Sequence, residues 1–127
     1  MKKLILLAIA AMPLIALAQD AGFTVQGKVG SYNAPAKMYL RYIVKGKTVT
    51  DSVTLSNGSF KFSGTVSAAE PSNAIVVLNT QGTGVVYKDY KSIYLEKGTI
   101  NVNSADSVSK ATVNGTKTNE ENAGYEA

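Results

Sequence analysis

The amino-acid sequence predicts an all-β protein: an antiparallel β-sandwich or partly open barrel of about seven or eight short strands, with a short helical start at the C-terminus. Three observations predict this class. Apolar and polar side chains alternate over short stretches, turn dipeptides recur about every eight to twelve residues, and Val, Thr, Ser, Tyr, Gly and Asn are abundant. A chain of 127 residues has room for one domain.

The first half of the chain contains four predicted strands, each recognised by a period-2 alternation of apolar and polar residues. Lys45-Gly46-Lys47 predicts a short hairpin loop between the second and third strands. Asn57-Gly58 predicts a type I′ hairpin between the third and fourth strands, because both residues tolerate a positive φ. The four predicted strands cover residues 23–29, 37–44, 48–55 and 59–66.

The second half repeats this pattern with shorter segments. Residues 74–78 are apolar on both faces, which is typical of a central strand. Residues 92–96 and 99–103 predict a hairpin about Lys97-Gly98, with Ile93 and Leu95 facing Ile100 and Val102. Two further short strands are predicted over residues 85–87 and 111–113.

Residues 1–18 have the three parts of a secretory signal peptide. Lys2 and Lys3 precede an apolar stretch over residues 4–17, and Ala16-Leu17-Ala18 is a cleavage site for signal peptidase. The apolar stretch is shorter than the roughly 20 residues that cross a bilayer. We therefore expect cleavage after Ala18, no stable membrane insertion, and a periplasmic or secreted product with a formal net charge of +2 rather than +4, since both lysines leave with the peptide.

Residues 19–117 are predicted to form the β-sandwich accessory domain, and residues 118–127 a polar tail or a truncated helix. Thr118-Asn119-Glu120-Glu121 has the spacing of a capping box, which opens a helix. A frayed polar tail is the alternative interpretation.

The residue types that are absent exclude several kinds of chemistry. The chain has no Cys and no His, so it has neither a thiol, a disulfide nor an imidazole proton shuttle. Ser107 and Lys110 have the S-x-x-K spacing of serine acyl enzymes, but they lie in a polar loop without the further motifs of that class. We expect no enzyme activity, no cofactor and no metal, and the near-neutral charge argues against nucleic-acid binding.

Asp51 conflicts with the alternation of the third strand. It is in register with Val49 and Val53, so strict alternation would aim its carboxylate at the core, where an unpaired charge is costly. We expect either a β-bulge at Asp51-Ser52 or a carboxylate that accepts hydrogen bonds from nearby backbone N–H groups.

Two stretches combine aromatic and basic residues and predict a partner-binding surface. One covers residues 87–91 and begins at the end of the predicted short strand over residues 85–87, and the other lies on the outer face of the second strand. Tyrosines are also ordinary strand residues whose hydroxyls reach solvent, which is the alternative interpretation. The candidate residues are Tyr39, Arg41, Tyr87, Lys88, Tyr90 and Lys91.

Several ordered segments together resemble a known family, the N-terminal domain of unknown function of exported Bacteroidetes thiol–disulfide interchange proteins. In that family the domain precedes a thioredoxin-like or peroxiredoxin-like module. The resemblance implies an exported β-sandwich accessory domain, but no redox activity, since this chain has no Cys and ends where that module would begin. The segments are residues 23–27, 38–42, 51–53, 57–64, 94–100 and 113–119.

These features favour a non-catalytic exported accessory or binding domain that docks a protein partner or, in longer relatives, the following thioredoxin-like module. The alternative is a structural or assembly protein that adds strands to a surface or periplasmic complex. A long unprotected edge strand would favour the alternative.

Overall fold

A computed structural model describes residues 20–126, which form eight strands, one turn of 3₁₀-helix and one α-helix. The predicted signal peptide lies outside these residues. The strands are β1 (Asp20–Val29), β2 (Lys37–Val44), β3 (Lys47–Thr54), β4 (Ser59–Ser67), β5 (Ser72–Asn79), β6 (Tyr90–Leu95), β7 (Gly98–Ser104) and β8 (Thr112–Asn114). The 3₁₀-helix spans Val108–Lys110, and the helix α1 spans Lys117–Glu126.

The eight strands form two four-stranded sheets that pack face to face. Sheet A has the order β4-β1-β7-β8, and sheet B has the order β3-β2-β5-β6. The predicted β-sandwich is thereby confirmed, and it is not a closed barrel. One pair departs from the antiparallel prediction, because β1 and β7 run parallel.

The core lies between the two sheets and consists of the alternating apolar residues that the sequence indicated. A buried aliphatic or aromatic side chain of this kind stabilises the fold by about 1.5–3 kcal/mol. β5 lies between β2 and β6, as its two apolar faces predicted. Core residues include Phe23, Val25, Met38, Leu40, Phe60, Phe62, Val76, Ile93, Leu95, Ile100 and Val102.

The two predicted hairpins that contain Gly46 and Gly58 have different outcomes. The predicted β2–β3 hairpin is confirmed, but Val44 pairs with Lys47, so its loop has two residues, Lys45-Gly46, rather than the predicted three. Asn57-Gly58 does form a tight turn with positive φ at both residues. Ser56 and Ser59 close this turn as one antiparallel pair. The predicted pairing of β3 with β4 is nevertheless wrong, because β3 belongs to sheet B and β4 to sheet A.

Hydrogen bonds at Gly58 explain this change of sheet. The Gly58 N–H donates to the Tyr32 carbonyl (2.7 Å), and the Gly58 carbonyl accepts from the Val29 N–H (2.9 Å). The Asn57 N–H donates to Oδ1 of Asn33 (2.7 Å). These contacts hold the turn against the end of β1, so the chain continues as the antiparallel neighbour of β1.

The predicted hairpin about Lys97-Gly98 is wrong for a similar reason. β6 pairs with β5 in sheet B, whereas β7 pairs with β1 and β8 in sheet A. Ile93 and Leu95 therefore meet Ile100 and Val102 in the core from opposite sheets rather than as neighbours in one ladder.

The outer edge of β6 is covered by side chains. Asn119 of α1 accepts from the Tyr94 N–H (2.9 Å) and donates to the Tyr94 carbonyl (2.8 Å), as a neighbouring strand would. Beyond the strand, Glu96 accepts from the N–H and the hydroxyl of Thr118. The Asn119 bonds block the pairing of another strand with this edge of sheet B at Tyr94.

The C-terminal helix is present, but the predicted capping box is shifted. The helix begins at Lys117. The Glu120 carboxylate reaches back to the Gly115 N–H (3.0 Å), and the Glu120 N–H donates to the Thr116 carbonyl (3.0 Å). Thr118 is not the N-cap residue of the helix, because its N–H and its hydroxyl both donate to the Glu96 carboxylate.

The second edge of sheet B, β3, has no ladder partner besides β2 within residues 20–126. The register between β2 and β3 is continuous, so the predicted bulge at Asp51-Ser52 is wrong. The alternative prediction is confirmed, because the Asp51 carboxylate accepts from the Ser52 N–H (2.8 Å). Asp51 remains exposed because β3 is at the sheet edge.

Burial of the Tyr42 hydroxyl and the nearby Asp51 charge both raise the pKa of Tyr42.

We expect Gly58→Ala to destabilise the fold far more than Gly46→Ala. Both glycines have φ near +80°, so alanine at either position costs about 1–2 kcal/mol. A Cβ at Gly46 would meet open space, whereas one at Gly58 would lie 2.2 Å from the Gly30 carbonyl oxygen. That overlap adds roughly 1–3 kcal/mol. Urea unfolding of both variants measures the difference, and equal losses would contradict the anchoring of this turn.

Candidate partner-binding surface

The loop between β5 and β6 covers part of the outer face of sheet B. Tyr39 of β2, Val77 of β5 and Tyr90 of β6 are consecutive cross-strand neighbours on that face. Tyr39 and Val77 are nevertheless buried and lie outside the main core. The Gly84 N–H donates to the Tyr39 hydroxyl (2.9 Å), which holds the loop down at this point.

Asn79, at the end of β5, organises the start of this loop. Its amide nitrogen donates to the Thr83 hydroxyl (3.0 Å) and to the Gly84 carbonyl (2.8 Å), and its Oδ1 accepts from the Gln81 N–H (2.9 Å). Residues 85–87 are not a strand, so that prediction is wrong. The loop obtains its shape from side-chain bonds and from positive φ at Gly84 rather than from ladder pairing.

Three of the predicted surface residues meet on the outer face of sheet B. Nη1 of Arg41 donates to the Tyr87 hydroxyl (3.0 Å). The rings of Tyr87 and Tyr90 lie edge to face, with centroids 5.7 Å apart. Tyr87 is 48% exposed and Tyr90 is 45% exposed. We call Arg41, Tyr87 and Tyr90 the aromatic cluster.

The other three predicted surface residues lie elsewhere. Tyr39 is on the predicted face but is buried under the loop, so it supports the aromatic cluster without being accessible. Lys88 lines a depression at the end of the sandwich together with Tyr32. Lys91 is next to Tyr90 in β6 and therefore points to the opposite face, where it lines a depression beside α1.

The outer face of sheet A has a different character. Gln26, Asn101 and Asn114 are cross-strand neighbours, and their side-chain amides are linked by hydrogen bonds of 3.5 and 3.2 Å. Among the described side chains, the large hydrophobic groups that are exposed all belong to sheet B or to its β5–β6 loop. They are Ile43, Val86, Tyr87 and Tyr90.

The Asp89 carboxylate, next to this surface, has a structural role that the sequence analysis did not predict. Asp89 accepts from the N–H groups of Val108 and Ser109 (3.0 and 2.8 Å), which ties the 3₁₀-helix to the start of β6. A signal for this was available, since aspartate beside a turn commonly accepts backbone N–H bonds.

The carboxylate of Glu70 and the hydroxyls of Ser107 and Ser109 are not part of the aromatic cluster. Within residues 20–126, no group of three His, Cys, Asp or Glu side chains is arranged to hold a metal ion. A depression of about 480 Å³ between β2 and the β4–β5 loop contains one carboxylate, that of Glu70. The Ser107 hydroxyl lies 3.4 Å from that of Ser109. The α1 segment and the 3₁₀-helix, the described helices, are too short and too polar to cross a membrane.

These features define an eight-stranded β-sandwich with one polar face and one partly apolar face. The family model described as a domain of unknown function (DUF4369) matches residues 23–122, and the chain belongs to this family. A comparison with curated proteins gives no match. Among solved structures, pneumolysin is similar at 16% identity and a TM-score of 0.36, over 80% of this chain and 24% of that protein. The chain thus spans about a quarter of the length of pneumolysin.

We expect Tyr39→Phe to loosen the β5–β6 loop while leaving the sandwich intact. The variant keeps the buried ring and loses the hydroxyl that accepts the Gly84 N–H. A lost hydrogen bond of this type is worth about 1 kcal/mol, so the Gly84 amide should exchange with solvent roughly fivefold faster. Residue-resolved hydrogen exchange measures this, with Tyr94 as the internal control. Unchanged exchange at Gly84 would show that the bond does not hold the loop.

Proposed function

We propose that this chain is a non-catalytic exported accessory domain that docks a protein partner through the aromatic cluster. The observation that carries the proposal is the exposure of two contacting tyrosine rings beside an arginine. Tyr and Arg are enriched among the residues that contribute most to protein–protein binding. A partner that covers the aromatic cluster removes apolar area from water without reorganising the loop, because Tyr39 and Asn79 already fix it.

The contrast between the two sheets supports this choice of surface. The amides on the outer face of sheet A bond to one another, so a partner there would have to compete with existing hydrogen bonds. The outer face of sheet B instead exposes aromatic carbon. Specific interfaces are built around such aromatic residues at their centre.

The export and the absence of catalysis in this proposal rest on the sequence. Residues 1–18 have the pattern of a cleaved signal peptide, which directs the domain to the periplasm or outside the cell. The chain has neither Cys nor His, and two of its acidic residues, Asp89 and Glu96, bind backbone N–H groups. The resemblance to exported thioredoxin-like proteins suggests a thioredoxin-like module, in the same or another chain, as the partner.

The test compares two double variants of the tagged full-length chain expressed in a Bacteroidetes host. Tyr87→Ser/Tyr90→Ser removes the rings of the aromatic cluster, and Lys61→Ser/Thr65→Ala changes exposed residues of β4 as a matched control. We expect the control to retain the envelope proteins that co-purify with the wild type, and the aromatic variant to lose them. With a purified partner, loss of both rings should weaken binding by about 30-fold or more.

Both variants should show the same unfolding transition as the wild type, which excludes misfolding as the cause. Equal recovery of the same partners by the aromatic variant would contradict the proposal. Recovery of a thioredoxin-like protein by the control and its loss from the aromatic variant would identify the partner class.

A second candidate function, the addition of strands in an assembly, has its own support in the open edge of β3.

A further inference from the structure

We propose that β3 pairs with β3 of a second copy of this chain, in an antiparallel two-fold arrangement that joins two copies of sheet B into one eight-stranded sheet. This interface is separate from the aromatic cluster and does not depend on it. It is carried by the open edge of β3 and by the order of the residues along that edge.

The edge of β3 is both long and accessible. The strand has eight residues, of which Val49 and Val53 are half-buried and the other six are exposed. Its ladder partner within residues 20–126 is β2, so every second residue of β3, Thr48 and Thr50 among them, directs its N–H and C=O away from the sheet. The Ser52 N–H donates to the Asp51 carboxylate, so the open part of the edge is the segment about Val49. An exposed row of this kind is a template for another strand.

The sequence of β3 is complementary to itself when it runs antiparallel about Val49. In that register Val49 meets Val49 of the second copy, and Thr48 meets Thr50 in both directions. Pairs of β-branched residues and of threonines are favourable across antiparallel strands. Lys47 meets Asp51 of the second copy, and the two-fold axis makes this pair twice.

The two charges at the ends of this segment favour that register over others. Lys47 and Asp51 are four residues apart and therefore lie on the same face of the strand. Both are exposed. In directly opposed positions their Cβ atoms would be about 5 Å apart, close enough for an ion pair. A shift by one residue would break both pairs and place Thr48 opposite Val49 or opposite Asp51.

The remaining edges of the described strands do not offer the same complementarity. Asn119 blocks strand pairing with β6 at Tyr94, so extension of sheet B is favoured at β3, and a two-fold pairing there closes the assembly at two copies. β4, at the edge of sheet A, has Lys61 as its one charged residue and no carboxylate to pair with it. β8 has three residues and contacts α1.

The test measures the monomer–dimer equilibrium of the full exported chain by sedimentation velocity from low micromolar to millimolar concentration. The wild type should dimerise, and added salt should weaken the dimer because the two ion pairs lie at an exposed edge. Asp51→Lys places a lysine opposite Lys47 of the second copy in each of the two pairs. This repulsion should raise the dissociation constant of the dimer about tenfold or more. Lys47→Asp should do the same through opposed carboxylates.

The double variant Lys47→Asp/Asp51→Lys is the matched control, because it exchanges the charges and restores both pairs. We expect its dissociation constant to return to within about threefold of the wild type. This rescue also separates a lost interface from lost folding. Tyr87→Ser/Tyr90→Ser should dimerise like the wild type, so a failed docking function leaves this result unaffected.

Three outcomes would overturn the proposal. The first is a wild type that stays monomeric at millimolar concentration, including the case in which β3 instead receives a strand from an unrelated protein. The second is a dimer that is insensitive to Asp51→Lys. The third is a double variant that fails to recover although its unfolding transition matches that of the wild type.

Discussion

The hydrogen bonds of Gly58 to Val29 and Tyr32 determine the topology on which the rest of the structure depends. They dock the Asn57-Gly58 turn on the end of β1, so the next strand pairs with β1 in sheet A and not with β3. The sandwich needs two sheets to bury the apolar faces of its strands, and this turn is where the chain first leaves sheet B for sheet A. β3 is consequently left with one neighbour.

Both proposed interfaces therefore lie on sheet B. Its two edges differ, because Asn119 occupies the backbone groups of Tyr94 at β6 while β3 stays open. Its outer face exposes Tyr87 and Tyr90, whereas the outer face of sheet A carries three side-chain amides that bond to one another. A dimer through β3 would place two aromatic clusters on one continuous face, and a partner with two binding elements would then bind with increased avidity.

Local sequence patterns predicted the strands well, because alternation depends on neighbouring residues alone. They did not distinguish Gly46 from Gly58, since both turns have the same local geometry and the outcome at Gly58 depends on contacts with residues about 25 positions earlier in the chain. Alternation also placed Tyr39 on the correct face, but its burial depends on a loop that returns about 45 residues later. Arg41 and Tyr87 were predicted as separate patches and meet only through the same loop.

Residue-resolved hydrogen exchange at several protein concentrations tests most directly whether sheet B has one sealed and one open edge. The Tyr94 amide should be protected at every concentration, because Asn119 accepts its N–H. The Thr48 and Thr50 amides of β3 should exchange rapidly at low concentration and become protected as the concentration rises and the second copy binds. Protection of all β3 amides at the lowest concentration would contradict the open edge, and rapid exchange at Tyr94 would contradict the sealed one.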